Sequence, residues 1–308
     1  MHRSTSRALT GTRDRPQLTF RRRYRTSAEN LRGALSTPER LARWFGRIEG
    51  EPSGVGDSFT ADLSGDGSDP AGGKVLACER DLVRVSWRWQ GEPESVITAQ
   101  IIRLAENDTE LRVDHALRES EHVAGYGGGW EQMLESLSRS VAASTADAPA
   151  DEVIEREAIQ RWELLRAAPL EFRERVPAPV HRVWEAFASA HEMRTWLRRR
   201  CPDLHVEADV RRGGGYRITA PSAGFALEGT YLEVEAPERL AFSWTRAGHG
   251  GESSDEAVDL RLEPAGPNAT LLSIRHCGPW TGDEPAGDRR RHWATALDGL
   301  AEKLSSPA

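Results

Sequence analysis

The pattern of apolar and polar positions occurs twice along the chain. Residues 170–197 align without a gap on residues 18–45, at a spacing of 152 positions, and Leu, Phe and Trp fall on matching positions. The match continues downstream, with small gaps, through three further pairs: Val85-Ser86-Trp87 with Phe242-Ser243-Trp244, His115 with His276, and Trp130 with Trp293. Solenoid repeats have periods of about 20–50 residues, so a period this long corresponds to a whole domain. The sequence therefore predicts two tandem copies of one domain.

Each copy begins with an alternating segment, typical of a strand, and ends with a segment of helical period. In the first copy residues 17–25 alternate, and Ser27 and Pro38 are suited to begin two short helices. For the second copy we predict a strand at 170–176, helices at 179–188 and 190–197, strands near 204–209, 215–220, 225–235, 239–246, 256–263 and 269–276, and a last helix at 288–304. The long amphipathic helix can cover the apolar face of an antiparallel sheet. We therefore predict an α+β fold of two helix-grip domains, each a curved antiparallel sheet wrapped around a long C-terminal helix with two short helices.

Changes in composition give the domain boundaries. The first sixteen residues are rich in Arg, Ser and Thr, and residues 142–151 are rich in small residues, as linkers often are. We predict a disordered N-terminus at 1–16, a first domain at 17–143, a linker with a connector helix at 144–167, and a second domain at 168–305.

Composition and charge restrict the classes of partner. The net charge of the 308 residues is −7, and residues 1–50 carry 12 Arg against 4 acidic groups, so the rest of the chain is acidic. This balance disfavours a nucleic-acid-binding scaffold. No apolar run is long enough to span a bilayer and no signal-peptide core follows Met1, so we expect a cytoplasmic protein without a membrane partner. Cys78, Cys201 and Cys277 form no CxxC pair, so we expect no metal site, no disulfide and no cofactor. The oligomeric state stays open.

Large aromatic residues and one histidine per copy are predicted on the inward faces of the strands and helices. Ten Trp in one chain is a high content, and large rings leave gaps that suit a flat apolar ligand. The candidate ligand-binding residues are Trp44, Trp87, Trp89, His115 and Trp130 in the first copy, and Trp196, Phe242, Trp244, His276 and Trp293 in the second. The alternative is that these rings only fill the core.

His115 and His276 are the candidate catalytic residues. Each lies at a strand end facing inward, where an imidazole could act as an acid, a base or a hydrogen-bond donor. The sequence shows no carboxylate or nucleophile near either one, so we favour histidines that are either satisfied by hydrogen bonds or placed at the solvent edge.

Several motifs together resemble a known superfamily. They are Pro177-Ala178-Pro179-Val180-His181-Arg182-Val183-Trp184, Gly213-Gly214-Gly215-Tyr216, Arg239-Leu240-Ala241-Phe242-Ser243-Trp244 and the closing Trp293-x3-Leu297-x2-Leu300, with Trp44-Phe45-Gly46 and Gly129-Trp130 in the first copy. Both copies resemble the SRPBCC (START-like, helix-grip) superfamily, in the branch similar to the Aha-type activator of the heat-shock chaperone ATPase. The first copy departs from the pattern at Arg25-Thr26-Ser27, where a Pro-containing turn is usual. The resemblance implies a cavity between sheet and long helix.

The superfamily hosts several functions on one architecture, so the fold does not select among them. We expect non-catalytic binding of a hydrophobic, aromatic or polyketide-type small molecule, used for sequestration or for self-resistance to a natural product such as an enediyne. The alternatives are a polyketide aromatase/cyclase-like enzyme and a co-chaperone that stimulates a heat-shock chaperone ATPase.

A run of glycines at Gly125–Gly129 is predicted to break the chain before the long helix, near the cavity mouth. The resemblance implies a further role, because some self-sacrifice resistance proteins of this type give up a backbone glycine hydrogen to a diradical. The candidate sacrificial glycines are Gly127, Gly128, Gly129, Gly213, Gly214 and Gly215. We favour the simpler alternatives, a flexible start of the helix for the first run and a turn or bulge for the second.

Overall fold

The computed structural model describes residues 5–50, 52, 54–68, 70–89, 91–142, 150–197, 201–246, 255–280 and 283–305. The chain divides into two compact units, Met1–Arg166 and Ala167–Ala308. Each unit has one antiparallel sheet, two short helices and a long helix, and the first unit has one further long helix; this confirms the predicted tandem α+β architecture. The central part of the predicted linker, at 143–149, lies outside the described residues. In the described part of the chain, no helix is both long enough and apolar enough to cross a bilayer.

The first unit contains an eight-stranded sheet with the order β1-β2-β8-β7-β6-β5-β4-β3. Its elements are β1 (Ser6–Thr12), β2 (Arg15–Tyr24), α1 (Ala28–Ser36), α2 (Pro38–Leu41), β3 (Arg47–Glu49), β4 (Ser58–Asp62), β5 (Pro70–Glu79), β6 (Leu82–Trp89), β7 (Ser95–Ala105), β8 (Asp108–Ala116), α3 (Val123–Ala142) and α4 (Asp151–Ala167). The side chain of Ser27 caps α1 by accepting a hydrogen bond from the backbone N–H of Asn30, and Pro38 begins α2, as predicted.

The second unit contains a seven-stranded sheet with the order β10-β11-β12-β13-β14-β15-β9. Its elements are β9 (Leu170–Val176), α5 (Val180–Ala188), α6 (Ala190–Trp196), β10 (His205–Ala208), β11 (Gly215–Ala220), β12 (Phe225–Glu235), β13 (Arg239–Arg246), β14 (Glu256–Pro264), β15 (Thr270–Cys277) and α7 (Asp283–Ser305). The core of this unit lies between the sheet and the helices α5, α6 and α7. Its element order repeats that of the first unit from β2 to α3.

Equivalent positions of the two units make the same hydrogen bonds. In each unit a Trp indole N–H donates to a carbonyl of the first short helix, a Thr hydroxyl donates to the carbonyl two residues before α1 or α5, and a Ser hydroxyl accepts from a backbone N–H of the neighbouring strand. The pairs are Trp44 to Ala34 and Trp196 to Ala186, Thr109 to Thr26 and Thr270 to Ala178, and Lys74 to Ser86 and Thr230 to Ser243. These shared bonds fix the correspondence between the copies residue by residue.

The N-terminal segment corrects one prediction. Residues 6–12, expected to be disordered, form β1, which pairs with β2 so that Leu9 lies opposite Leu18. Leu9 is buried, and Arg7 forms an ion pair with Glu131 of α3. A composition rich in Arg suggested disorder, but Arg7 is paired with Glu131 and the apolar positions of β1 are covered.

The glycine run corrects a second prediction. The long helix α3 begins at Val123 and continues through the run, so the glycines do not break the chain before it. A Cβ on Gly127 would lie 2.3 Å from Cγ of Trp162 in α4, and one on Gly128 would lie 2.5 Å from Cγ1 of Ile159. Trp162 is fully buried and its indole N–H donates to Glu131 Oε1 at 2.8 Å. Helix α4 therefore packs on α3 within the first unit, and these two glycines permit the close approach of the helices.

Candidate ligand-binding site

A cavity lies between the sheet and α7 in the second unit. It encloses about 630 Å³ of empty space including its open mouth, and about 60 Å³ of this is available to the centre of a water molecule. It is lined by Phe187, Met193, Trp196, Leu197, Tyr216, Ile218, Phe225, Leu227, Tyr231, Leu240, Phe242, Trp244, His292, Trp293 and Ala296. Nine of these side chains are aromatic and none is Asp, Glu, Lys or Arg, so the wall suits a flat, uncharged molecule.

The alternation of β13 creates one wall of the cavity. Leu240, Phe242 and Trp244 are two residues apart, so they project from the same face of the sheet. The ring centroids of Phe242 and Trp244 lie 6.5 Å apart in a stacked arrangement, and that of Trp293 on α7 lies 5.6 Å from Trp244. His292 directly precedes Trp293 on α7, and its ring stacks on that of Phe225 with a centroid distance of 5.6 Å. Sheet and helix thus present ring faces and edges to the same space.

His276 lies behind this wall and takes part in a polar chain. The indole N–H of Trp293 donates to Nδ1 of His276 at 3.2 Å, and Nε2 of His276 lies 3.2 Å from Oε2 of Glu256. The guanidinium of Arg289 forms two bonds of 2.7 Å with the same carboxylate. Because Nδ1 accepts from Trp293, the proton of the neutral ring resides on Nε2 and faces Glu256.

His115 has the same position in the first unit but a neutral partner. The indole N–H of Trp130 donates to Nδ1 of His115 at 3.0 Å, which leaves the ring proton on Nε2. That nitrogen lies 2.9 Å from the hydroxyl of Ser95, which in turn donates to the carbonyl of Trp87. The side chains of Trp130, His115 and Ser95 are buried, and their polar atoms are all hydrogen-bonded in this way.

Burial keeps both histidines neutral. Desolvation lowers the pKa of His115 to about 3. Desolvation also lowers the pKa of His276, although Glu256 acts in the opposite direction. The pKa of Glu256 lies below its usual value because hydrogen bonds from Arg289 and His276 outweigh the opposing effect of burial. Both ring nitrogens of His115 are hydrogen-bonded, whereas in His276 only Nδ1 is, and its Nε2 lies near Glu256 without an aligned hydrogen bond. In both rings the nitrogen that carries the lone pair accepts from a Trp indole, and neither histidine lines the cavity, so the arrangement offers no free lone pair for proton transfer to a ligand.

The predicted site residues fall into two groups. In the second unit Trp196, Phe242, Trp244 and Trp293 line the cavity, and His276 lies behind it. In the first unit the predicted rings form one cluster, joined by Phe45 and Tyr126. The ring-centroid distances are 5.5 Å for Trp44–Phe45, 5.7 Å for Phe45–Trp87, 5.9 Å for Phe45–Trp130, 6.1 Å for Trp87–Trp89, 5.9 Å for Trp89–Tyr126 and 4.5 Å for His115–Tyr126.

Glu256 is a residue beside the candidate site that the sequence reasoning missed, because we expected no carboxylate near His276. It lies on β14, twenty positions away in sequence, and comes next to His276 through the pairing of β14 with β15. A signal did exist. Glu256 pairs with Trp244 in the sheet, as Ser95 pairs with Trp87, so the register of the two copies would have identified the position.

The second glycine run forms a tight turn, the alternative favoured from the sequence. Gly213 has φ +82°, a backbone conformation that favours glycine, and its N–H donates to the carbonyl of Tyr231 at 2.8 Å. Tyr231 N–H in turn donates to the carbonyl of Gly214. A Cβ on Gly214 would lie 2.0 Å from the carbonyl oxygen of Asp209, so only glycine fits there.

One surface group could supply metal ligands. Among the described residues, Glu119, Glu121 and His122 bring three ligand atoms within 4.8 Å of one another. Nδ1 of His122 already lies 3.3 Å from a carboxylate oxygen of Glu92, and Nε2 lies 3.3 Å from one of Glu119. The group is exposed, and nothing else in its surroundings indicates an ion.

Comparison with known families agrees with the geometry. The family model described as Activator of Hsp90 ATPase homolog 1-like protein matches residues 25–142 and again residues 177–305. The chain belongs to this family. The two matched segments cover most of the two units, so the chain carries the family domain in tandem, as the motifs predicted.

Solved structures with a similar fold come from several sources. The crystal structure of CalU16 from Micromonospora echinospora is 25% identical, covering 54% of this chain and 99% of that chain, with a TM-score of 0.45. DynU16, a protein in the dynemicin biosynthetic locus, is 20% identical, covering 94% of this chain and 97% of that chain, with a TM-score of 0.38. An HSP90 activator from Plasmodium falciparum is 17% identical, covering 45% of this chain and 97% of that chain, with a TM-score of 0.38. No curated protein matches the chain.

Proposed function

We propose that the chain binds a hydrophobic, aromatic small molecule of the polyketide type without converting it, and that the cavity of the second unit is a binding site. The observation that carries the proposal is the wall of nine aromatic side chains, His292 included, with no Asp, Glu, Lys or Arg among the lining residues. Transfer of a charge into such a wall costs several kcal/mol, whereas a flat neutral ring gains ring contacts on its faces and edges.

The size of the cavity defines the part of a ligand that it admits. The 60 Å³ open to water centres corresponds to about four water molecules, or roughly one aromatic ring. A two-ring molecule can enter with its second ring in the open mouth. Larger ring systems require the lining side chains to move, and Met193 is the most adaptable of them.

The hydrogen bonds of the two histidines support binding without turnover. His276 holds Trp293 on one side and faces Glu256 on the other, and His115 is engaged by Trp130 and Ser95. Enclosure between aromatic walls separates a reactive molecule from water and from other targets. We propose that this sequestration is the biological use, for example self-resistance to a natural product such as an enediyne.

A matched pair of probes tests the proposal on the full chain. Naphthalene and naphthalene-2-sulfonate have the same rings, but only the second carries a charge. We expect naphthalene to bind at micromolar concentration by titration calorimetry, and the sulfonate to bind at least tenfold more weakly. Equal affinity of the two probes would refute the neutral cavity as the binding site.

A matched pair of variants locates the binding. Ala296 is buried and lines the cavity, whereas Ala294 on the same helix is exposed. Ala296→Met should fill the cavity and weaken naphthalene binding at least tenfold, and Ala294→Met should leave it unchanged. If the two variants bind naphthalene alike, the molecule binds elsewhere.

A further inference from the structure

We infer that the cavity of the second unit selects ligands that carry a hydrogen-bond acceptor, and that the hydroxyl of Tyr231 is the group that selects them. The ligand class is then neutral aromatic ketones and quinones, whose carbonyl oxygen accepts a hydrogen bond from this hydroxyl. The inference rests on the proposed function, because it concerns the same cavity, and it adds a polar requirement to a wall that is mostly apolar.

Two other lining residues already use their hydrogen-bond donors within the protein. The hydroxyl of Tyr216 donates to the carbonyl of Ser243 at 2.8 Å. The indole N–H of Trp196 donates to the carbonyl of Ala186, also at 2.8 Å. Buried donors are normally paired in this way, and a donor that holds two protein elements together is not available to a ligand.

The hydroxyl of Tyr231 differs from these two donors. No group of the described residues is hydrogen-bonded to it, although the residue is only 3% exposed. Its ring lines the cavity, and its oxygen is not sealed in by protein atoms, so a molecule in the cavity can reach it. A buried hydroxyl without a partner is unfavourable and needs a physical explanation. An acceptor on the ligand supplies that explanation.

The position of the Tyr231 ring is fixed from both sides and from its backbone. Its ring centroid lies 5.5 Å from that of Tyr216 and 6.3 Å from that of Phe242. Its backbone N–H donates to the carbonyl of Gly214 at 2.9 Å, and its carbonyl accepts from the N–H of Gly213 at 2.8 Å. The tight glycine turn therefore holds the strand residue from which the ring projects. A donor that is already positioned loses little freedom when it binds an acceptor.

The electrostatic surroundings make this hydroxyl a donor to neutral acceptors. Burial raises the pKa of Tyr231, and the negative charge of Asp209 acts in the same direction, so the phenol keeps its proton at neutral pH. A protonated phenol can donate to a carbonyl oxygen. A carboxylate or phenolate would accept more strongly, but Asp209 repels it and the apolar wall gives its charge no compensation. A ketone or quinone oxygen meets neither obstacle.

The first unit has no such group at the equivalent position. Val75 pairs with Val85 next to a bulge, as Tyr231 pairs with Phe242 next to a bulge. The side chain of valine can neither donate nor accept a hydrogen bond. Selection for an acceptor therefore belongs to the second unit, and a loss that follows removal of the Tyr231 hydroxyl reports on that unit.

The test uses the full chain and two neutral probes, tetralin and 1-tetralone, which share a two-ring skeleton and differ by one carbonyl group. Titration calorimetry measures both affinities. Tyr231→Phe keeps the ring and removes the hydroxyl, so we expect it to weaken 1-tetralone binding about tenfold and leave tetralin binding unchanged. Tyr216→Phe is the matched control, because its hydroxyl already donates to Ser243, and it should leave the ratio of the two affinities unchanged.

The infrared carbonyl band of bound 1-tetralone gives a readout that a purely structural role of Tyr231 would not move. A hydrogen bond to the carbonyl lowers the frequency of this band. We expect the lower frequency in the wild-type chain and in Tyr216→Phe, and a return to the higher frequency in Tyr231→Phe. A band at the higher frequency in the wild-type chain would overturn the inference without the use of any variant.

The outcomes separate the inference from the proposed function. Unchanged 1-tetralone affinity in Tyr231→Phe, with naphthalene binding still lost in Ala296→Met, would overturn the inference and leave the proposed function standing. Loss of 1-tetralone binding in Tyr231→Phe, with no binding of tetralin or naphthalene to the wild-type chain, would support the inference and refute the proposal that neutral rings alone suffice. An equal loss of 1-tetralone binding in Tyr216→Phe would overturn the inference. Thermal unfolding of both variants verifies that the second unit is folded.

Discussion

The contact between α3 and α4 makes the sharpest stability prediction, through two glycines of one helix. Alanine is the better helix former by about 1 kcal/mol in a helix interior. Gly125 is exposed and a Cβ there would have no atom within 4 Å, so Gly125→Ala should stabilise the first unit by up to about 1 kcal/mol. Gly127→Ala, two residues further along, should do the opposite.

The added methyl group of Gly127→Ala meets a side chain that cannot yield. It would lie 2.3 Å from Cγ and 2.4 Å from Cδ1 of Trp162, more than 1 Å inside ordinary contact distance. Trp162 is fully buried, its ring centroid lies 5.0 Å from that of Phe20, and its N–H is bonded to Glu131. Overpacking of this kind costs about 1–3 kcal/mol, and expulsion of the indole would cost about 3–5 kcal/mol. The two alanine variants should therefore differ by about 2–4 kcal/mol.

Urea unfolding of the full chain, followed by circular dichroism, measures the difference through the transition of the first unit. A double-mutant cycle identifies the cause, because Gly127→Ala should cost little when Trp162 is already Ala. Equal stability of Gly125→Ala and Gly127→Ala would refute the packing of α4 on α3. So would a cost of Gly127→Ala that persists without Trp162.

Two further predictions concern the buried polar chains. Glu256→Gln removes the charged partner of Arg289 and should destabilise the second unit by about 3–5 kcal/mol. Arg182→Ala, at an exposed ion pair, is the control and should cost less than about 1 kcal/mol. Urea unfolding measures both costs, and similar values would contradict the buried ion pair. Since the folded-state pKa of His115 is about 3 against about 6.5 when unfolded, its stabilising effect is complete above pH 6.5 and is lost as pH falls toward 3. His115→Gln should flatten this part of the stability profile of the first unit, and an unchanged slope would refute the assignment.

Local periodicity was sufficient to predict most elements of the second unit. Strands β9, β12 and β13 have the predicted bounds, 170–176, 225–235 and 239–246. Their side chains alternate between the covered face and the other face, and this period of two is visible in sequence. The two copies strengthened the prediction, because each feature that recurs at an equivalent position is supported by two independent segments.

The two elements predicted wrongly depend on pairing and packing that composition and local propensity do not show. The pairing of β1 with β2 buries Leu9, but a sequence rich in Arg does not indicate which strand will cover it. Three consecutive glycines lower helix propensity by about 1 kcal/mol each, so the sequence indicated a break. Packing against Trp162, which is more than thirty positions away, supplies the stabilisation that propensity lacks. Tertiary contacts of this kind are absent from any local pattern.

The sequence predicted the aromatic residues of the candidate site, but it did not predict the charged residues beside them. Alternation placed Phe242 and Trp244 on one face, and both line the cavity. Glu256 and Arg289 come together from β14 and α7, and no spacing in the sequence connects them. A carboxylate thus reaches His276 only through the register of the sheet.

In the two networks of buried polar residues around His115 and His276, the partner residues must have changed together rather than one at a time. Ser95 and Glu256 are equivalent, and so are Tyr126 and Arg289, which precede Trp130 and Trp293 by four positions. A carboxylate at position 95 without a cation at position 126 would be buried unpaired, at a cost of several kcal/mol. The neutral set leaves the histidine of the first unit bonded to a hydroxyl, and the charged set ties α7 to β14 beside the narrow cavity. Divergence inside a shared Trp–His frame therefore gave the second unit an ion pair behind its cavity and the first unit a neutral, hydroxyl-bonded histidine.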